Sequence, residues 1–236
     1  ANIVRGGDSR ISDIGIDDVV RHVLLPIWNA YSFFTLYANV DGYRAEFRTE
    51  SEHLLDRYLL AKTRQLVESV DSKMEDYDLP GATESIQTFI DALNNWYIRR
   101  SRDRFWETRT NENENEKKDA YDTLYTVLKI FSQVSAPFLP MIMEEIHTGL
   151  TGEPSVHLTD WPDPEILPED KPLVENMDRI RDAASTALRL REDEGIRVRL
   201  PLSSMVIAGP GSSSLSNFLE LLTDCLLYTS DAADEG

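Results

Sequence analysis

Between Ala82 and Tyr97 the apolar residues Ala82, Ile86, Phe89, Ile90, Leu93 and Tyr97 recur at steps of three and four. That spacing lays them along one stripe of an α-helix, and such a stripe has to be covered by another. The same period returns along much of the chain, so the expected fold is mainly α, an antiparallel helical bundle of about five helices. A long helix is expected from Ile16 to about Asn39, apolar over more than one face and kinked at Pro26, which has no backbone donor. Ser51 reads as the N-cap of a second helix to about Asp76, with Leu54, Leu55, Tyr58, Leu59, Lys62, Leu66, Val67 and Val70 at helical spacing. Leu79-Pro80-Gly81 breaks the chain, and Pro80 suits the first turn of the next helix. Thr108 to Lys118 lacks apolar periodicity and reads as a solvated loop. Further helices are expected from about Asp119 to Ser135, where Pro137 stops the run, and from Pro140 to Leu150.

The first stripe runs into Asn94-Asn95-Trp96-Tyr97-Ile98-Arg99-Arg100-Ser101-Arg102-Asp103-Arg104-Phe105-Trp106. Four arginines and four aromatics crowd into these thirteen residues, in a chain of net charge −18. Guanidinium groups bind phosphate bidentately and stack on flat rings, so this mixture suits an RNA-contacting surface. Projected at about 100° per residue, Arg100 and Arg104 continue the apolar stripe and Arg102 points nearly opposite. Either the helix offers Arg100 and Arg104 to something outside its bundle, or buried carboxylates pair with them. The plain alternative is an arginine-rich helix end stabilised by the helix dipole and by Asp103 and Glu107.

The second half of the chain carries fewer signals. Glu144, Glu145 and His147 do not share a helix face with usable geometry, so no metal is expected there. His157 has no nucleophile or carboxylate constellation around it and reads as structural. Ser155 to Leu158 is expected as a short extended piece, packed on the bundle by Trp161 and Pro162. A proline-rich acidic stretch from Pro164 to about Pro172 reads as a linker, followed by a helix through Met177, Ile180, Ala184 and Leu188 that ends near Glu194-Gly195. Ile196 to Leu202 alternates apolar and basic residues like a half-exposed strand, and Ser203 to Ala208 is a second apolar run. Arg197 and Arg199 share one face of that strand, either solvated or against RNA.

Composition bounds the reading. A chain of 236 residues with 41% hydrophobic content can bury a substantial core. No apolar run is long enough to span a bilayer and no leader pattern opens the chain, so a soluble, cytoplasmic protein is expected, without membrane or DNA as partner and as a monomer. The single cysteine, Cys225, excludes an internal disulfide and supplies no metal cluster. The acidity argues against nonspecific nucleic-acid binding over the whole surface and leaves room for a local basic patch. Salt adaptation of the source is a second reading of it.

The run NWYIRRSRDRFW resembles a signature of the isoleucyl-tRNA synthetases, class I enzymes with a helical anticodon-binding domain. The phrases HVLLPIWNAYSFFTLYANVDGY, APFLPMIMEEIHTGL with SVHLTDWP, and GIRVRLPL are similar to the same family, in consistent order over residues 1 to about 208. The resemblance implies an exit segment of a catalytic domain over 1–15, the anticodon-binding bundle over 16–163 and the start of an α+β junction domain over 164–224. Residues 225–236 resemble a translated sequencing adapter and are expected to lie outside the natural chain; without Asp231, Asp234 and Glu235 the net charge moves from −18 to −15. In this family ATP and Mg²⁺ serve to activate isoleucine before it is esterified to tRNA. Neither the HIGH nor the KMSKS signature occurs here, so this portion is expected to bind no cofactor and to be catalytically silent. What the resemblance implies for it is recognition of the anticodon arm of an isoleucine tRNA. Arg99, Arg100, Arg102, Arg104 and Arg109 would meet phosphates, with Trp96 or Trp106 stacking on an unpaired base. Two alternatives stand beside this: a valine-type synthetase, against which the arginines after Tyr97 speak, and a helical scaffold whose arginines form internal salt bridges.

Overall fold

The computed structural model describes residues 12–107, 110, 114–197, 200, 204–209, 215, 218 and 221–223. The chain divides after Asp170 into two compact units. The first begins with α1 (Asp13–Val19), capped by the Ser12 hydroxyl, which accepts from the Gly15 N–H at 3.2 Å. A wider turn, Val20–Leu24, leads into α2 (Leu25–Asp41). The bend expected at Pro26 is taken up there: the Leu25 N–H reaches five residues back, to the Val20 carbonyl, just before the residue that cannot donate. Gly42, at φ 61°, ends α2 in the left-handed region, and the Tyr43 N–H closes on the Ala38 carbonyl at 2.8 Å.

Residues 43–50 form neither helix nor strand. The N–H groups of Glu46 and Arg48 donate to the Asp122 carboxylate at 2.9 Å and the Thr126 hydroxyl at 2.8 Å, which explains two buried polar side chains on α6 (Glu114–Ser135). The N-cap of α3 (Leu54–Glu75) is His53 rather than Ser51. Its Nδ1 accepts from the Leu55 N–H at 3.3 Å, while the Ser51 hydroxyl accepts from the His53 N–H at 3.1 Å and so steadies the cap from outside. Asp78 caps α4 (Leu79–Asp91) with Pro80 in its first turn, as the proline predicts.

The loop expected over 108–118 is helical from Glu114 onward. Glu114 and Glu116 favour a helix start through the dipole. Lys117, 5% exposed, fixes it by pairing with Asp41 at 2.7 Å and donating to the Glu107 carbonyl at 2.6 Å. Leu124, Val127, Leu128, Phe131 and Val134 of α6 are 0–1% exposed. α3 packs on α4 and α6, and α7 (Pro140–Thr151) folds back on α6. Phe89 and Phe131 stack at 5.5 Å between centroids, joining α4 to α6. This is the helical bundle expected.

Beyond α7, Val156–Leu158 is a 3₁₀ turn instead of an extended piece, and Trp161 is exposed while Pro162 is buried. The stretch read as a linker is held on α3: Arg64 donates to the Leu167 carbonyl at 3.0 Å and Arg57 pairs with Asp170 at 2.9 Å. The second unit starts with α8 (Lys171–Asp193), whose stripe Leu173, Met177, Ile180 and Ala184 is buried. The chain then curls around Arg191, 3% exposed, which donates to the carbonyls of Arg197 and Leu200. Among the described residues no strand forms over 196–208, and Val198, Arg199 and residues 201–203 of that segment lie outside them. No described helix is long and apolar enough to cross a membrane.

Candidate nucleic-acid interface

The arginine-rich run is the far end of one long helical rod. α4 continues through a π-turn, Ala92–Ile98, into α5 (Arg99–Trp106). The Arg99 N–H bonds the Asn94 carbonyl five residues back, so the rod takes in about one residue more than a regular helix would. Every residue beyond is set back by one position on the helix face. Ser101 and Phe105, 0% and 1% exposed, occupy the stripe that a straight projection gives to Arg100 and Arg104. Arg100 is half-buried and lies over the Trp96 ring, 4.4 Å from its centroid. Trp96 is itself 5% exposed and unavailable as an outer stacking surface.

Arg104 is turned inward. Its guanidinium grips the fully buried Asp56 of α3 bidentately, Nη1 to Oδ1 at 2.7 Å and Nη2 to Oδ2 at 2.8 Å. Nη2 also donates to the Glu116 carbonyl at 2.9 Å. The Tyr97 hydroxyl and the Ser51 hydroxyl donate to the same carboxylate at 2.8 and 2.9 Å. Burial works against a charge on Arg104, and the Asp56 carboxylate overrides it, so the pKa rises. Burial and then Asp56 also hold the Tyr97 hydroxyl well above its ordinary range. His53, beside the pair, is pushed below 6.5 by burial and then by the Arg104 charge. Of the two fates open to Arg104 in the sequence, pairing with a buried carboxylate is the one realised. Asp56 does not stand out in the sequence; its one signal there is a carboxylate four residues ahead of Leu60, on the buried face of its own helix.

With Arg104 inside, the outward face of the rod reads Asn95, Arg99, Arg102, Trp106, at steps of four, three and four. Arg99 and Arg102 are exposed, and neither pairs with a carboxylate among the described residues. Arg102 lies over the Trp106 ring, 5.8 Å from its centroid, and Trp106 is 53% exposed. The face thus offers two unneutralised guanidinium groups and one flat ring in line. Arg109 lies outside the described residues.

Elsewhere the polar clusters are internal ties. His147, 0% exposed, sits between the Ser132 hydroxyl at 2.9 Å and Glu153 at 3.1 Å. Glu144 accepts from the Val156 N–H at 2.8 Å and the Ser155 hydroxyl at 3.0 Å. His157 and Arg197 are exposed, and Arg199 lies outside the described residues. Among the described residues no group of histidine, cysteine and acidic side chains is arranged to hold a metal.

Residues 56–206 match the family described as the anticodon-binding domain of tRNA ligase, and the chain belongs to that family. It is 49% identical over 222 residues to the isoleucine–tRNA ligase of Leifsonia xyli, covering 94% of this chain and 20% of that protein. The isoleucine–tRNA ligase of Mycobacterium tuberculosis is 48% identical over the same length and shares, and that of Tropheryma whipplei 40% identical over 239 residues, 100% of this chain and 22% of that one. The chain therefore spans about a fifth of the length of these relatives.

Proposed function

We propose that this chain is the tRNA-gripping part of an isoleucine–tRNA ligase and binds the anticodon arm of an isoleucine tRNA. The observation that carries the reading is the outward pair Arg99 and Arg102, charged and without carboxylate partners among the described residues, in a chain that holds 42 acidic residues against 24 basic ones. In so acidic a chain, a guanidinium without an internal partner marks a place where an anion is expected. Arg99 and Arg102 take phosphates of the arm, and Trp106 stacks on an unpaired base. Arg100 stays stacked on Trp96 at the edge of this face. Arg104 touches no RNA in this reading; through Asp56 it sets the rotation of α5 and so the direction of the others. Activation of isoleucine with ATP and Mg²⁺ belongs to parts of the enzyme that carry the HIGH and KMSKS signatures, and neither occurs in this sequence. The reading places the protein in the cytoplasm, with the other components of translation.

The test is the affinity of this chain for an isoleucine tRNA and for the same tRNA with its anticodon replaced. Recognition predicts that each replaced base weakens binding by about 1–3 kcal/mol, the usual cost of a lost base contact. Equal affinity for the two would leave a general RNA binder, and no binding above background to either would leave a scaffold.

A further inference from the structure

A solvent-open cavity of about 700 Å³ lies among α2, residues 43–47, α6 and the end of α7, on a different face of α2 from the one that meets Phe105. The volume falls in the range of small-ligand pockets, about 300–1,000 Å³. Its walls carry the rings of Tyr31, Phe34, Tyr43 and Tyr125. Gly149 makes room for one of them, since a Cβ there would collide with the Tyr31 hydroxyl.

Rings alone would be ordinary packing surface, but here polar groups are left over. The Tyr43 hydroxyl is spent on Asp122 at 2.9 Å. The hydroxyls of Tyr31 and Tyr125 and the carboxamide of Asn39 have no hydrogen-bond partner among the described residues. Flat walls with unused donors and acceptors between them suit a planar ring with a polar edge. Arg44 stands on the lining too, exposed and without a carboxylate partner among the described residues. Its neighbour Arg48 is different, being neutralised by Asp119 at 2.6 Å. Glu46 lines the cavity as well, so an anion has to enter on the Arg44 side.

We propose that this cavity holds an unpaired nucleobase of the bound RNA, stacked against Tyr31 and Tyr125, with the adjoining phosphate on Arg44. The inference rests on the RNA-binding reading above and adds a second contact, separate from the Arg99 and Arg102 face.

The probes are the four ribonucleoside monophosphates, titrated into the chain while the tyrosine ring signals are followed by NMR, and an isoleucine tRNA titrated in parallel. Asn39→Ala/Arg44→Ala changes two exposed side chains, and its melting temperature is read alongside. Nucleotides should shift a subset of the tyrosine signals, and tRNA affinity should fall about tenfold in the double variant, the scale of one lost charge-assisted hydrogen bond to phosphate. If the double variant melts early, the nucleotide titration of the unaltered chain decides. Unmoved ring signals overturn the proposal. So does undiminished tRNA binding by Asn39→Ala/Arg44→Ala, and if Arg99→Ala/Arg102→Ala abolishes binding in the same series, the anticodon reading survives that failure. No tRNA binding by the unaltered chain removes both. Ring signals that respond to an apolar peptide and to none of the nucleotides reassign the cavity and overturn the nucleobase.

Discussion

Arg104 and Asp56 are the residues on which the orientation of the arginine face turns. Removing one partner of a buried ion pair strands the other charge and costs about 3–5 kcal/mol, whereas replacing both by apolar side chains is often close to neutral. Asp56→Asn should therefore lower the unfolding free energy in urea by that order, and Asp56→Leu/Arg104→Met by clearly less. Equal losses in the two would mean that the charges do not depend on each other. His53 adds a pH dependence. Its pKa lies below 6.5 in the fold, from burial first and the Arg104 charge second, so in that window the unfolded chain binds the extra proton. Its contribution is complete above about pH 6.5 and is lost as the pH falls towards the folded pKa. Between about pH 7 and 5 the stability of His53→Gln should fall less steeply than that of the unaltered chain; parallel curves would remove His53 from the account.

The π-turn at Ala92–Ile98 decides which residues of the rod are inside. Deleting Asn95 takes out the extra residue, so a regular helix would run from α4 into α5 with Phe105 still in the core and Arg104 still on Asp56. Deleting Asn94 as well would turn α5 by about 100° and carry Phe105 out of the core. The loss of a buried phenylalanine costs about 3–5 kcal/mol, so the double deletion should melt lower and bind tRNA more weakly than the single one. Equal melting temperatures for the two deletions would show that the turn does not set the register. This element also marks where sequence reading stopped. The apolar stripe from Ala82 to Tyr97 and the helix starts at Pro80 and Pro140 were legible, because each acts within a turn of its own position. The phase slip was not: a projection assumes a constant pitch. Its trace is Asn94, whose side-chain amide donates to the Ile90 carbonyl at 3.1 Å and so competes with regular helix bonding. The early start of α6 was hidden for another reason, since it depends on Lys117 meeting Asp41, far away in the chain. The node at Asp56 was half legible. The arginines pointed to either RNA or a buried carboxylate, and only the bond across to Asp56 of α3 separates Arg104 from Arg99 and Arg102.

Across the whole chain 42 acidic residues stand against 24 basic ones, and Arg99 and Arg102 have no carboxylate partner among the described residues. Such a balance repels nucleic acid generally and admits it locally, so binding should depend strongly on salt where it occurs. The relatives are ligases about five times longer than this chain, and what this part contributes is tested without the rest of them. The measurement is the affinity of the chain for an isoleucine tRNA as a function of salt concentration, set beside Arg99→Ala/Arg102→Ala. Each phosphate contact on a single strand contributes about 0.7 to the slope of log affinity against log salt, so the double variant should lose roughly 1.4 from it and keep its melting temperature. An unchanged slope, with both proteins binding tRNA equally well, would contradict the account: the face of α5 would then not be where this chain meets RNA.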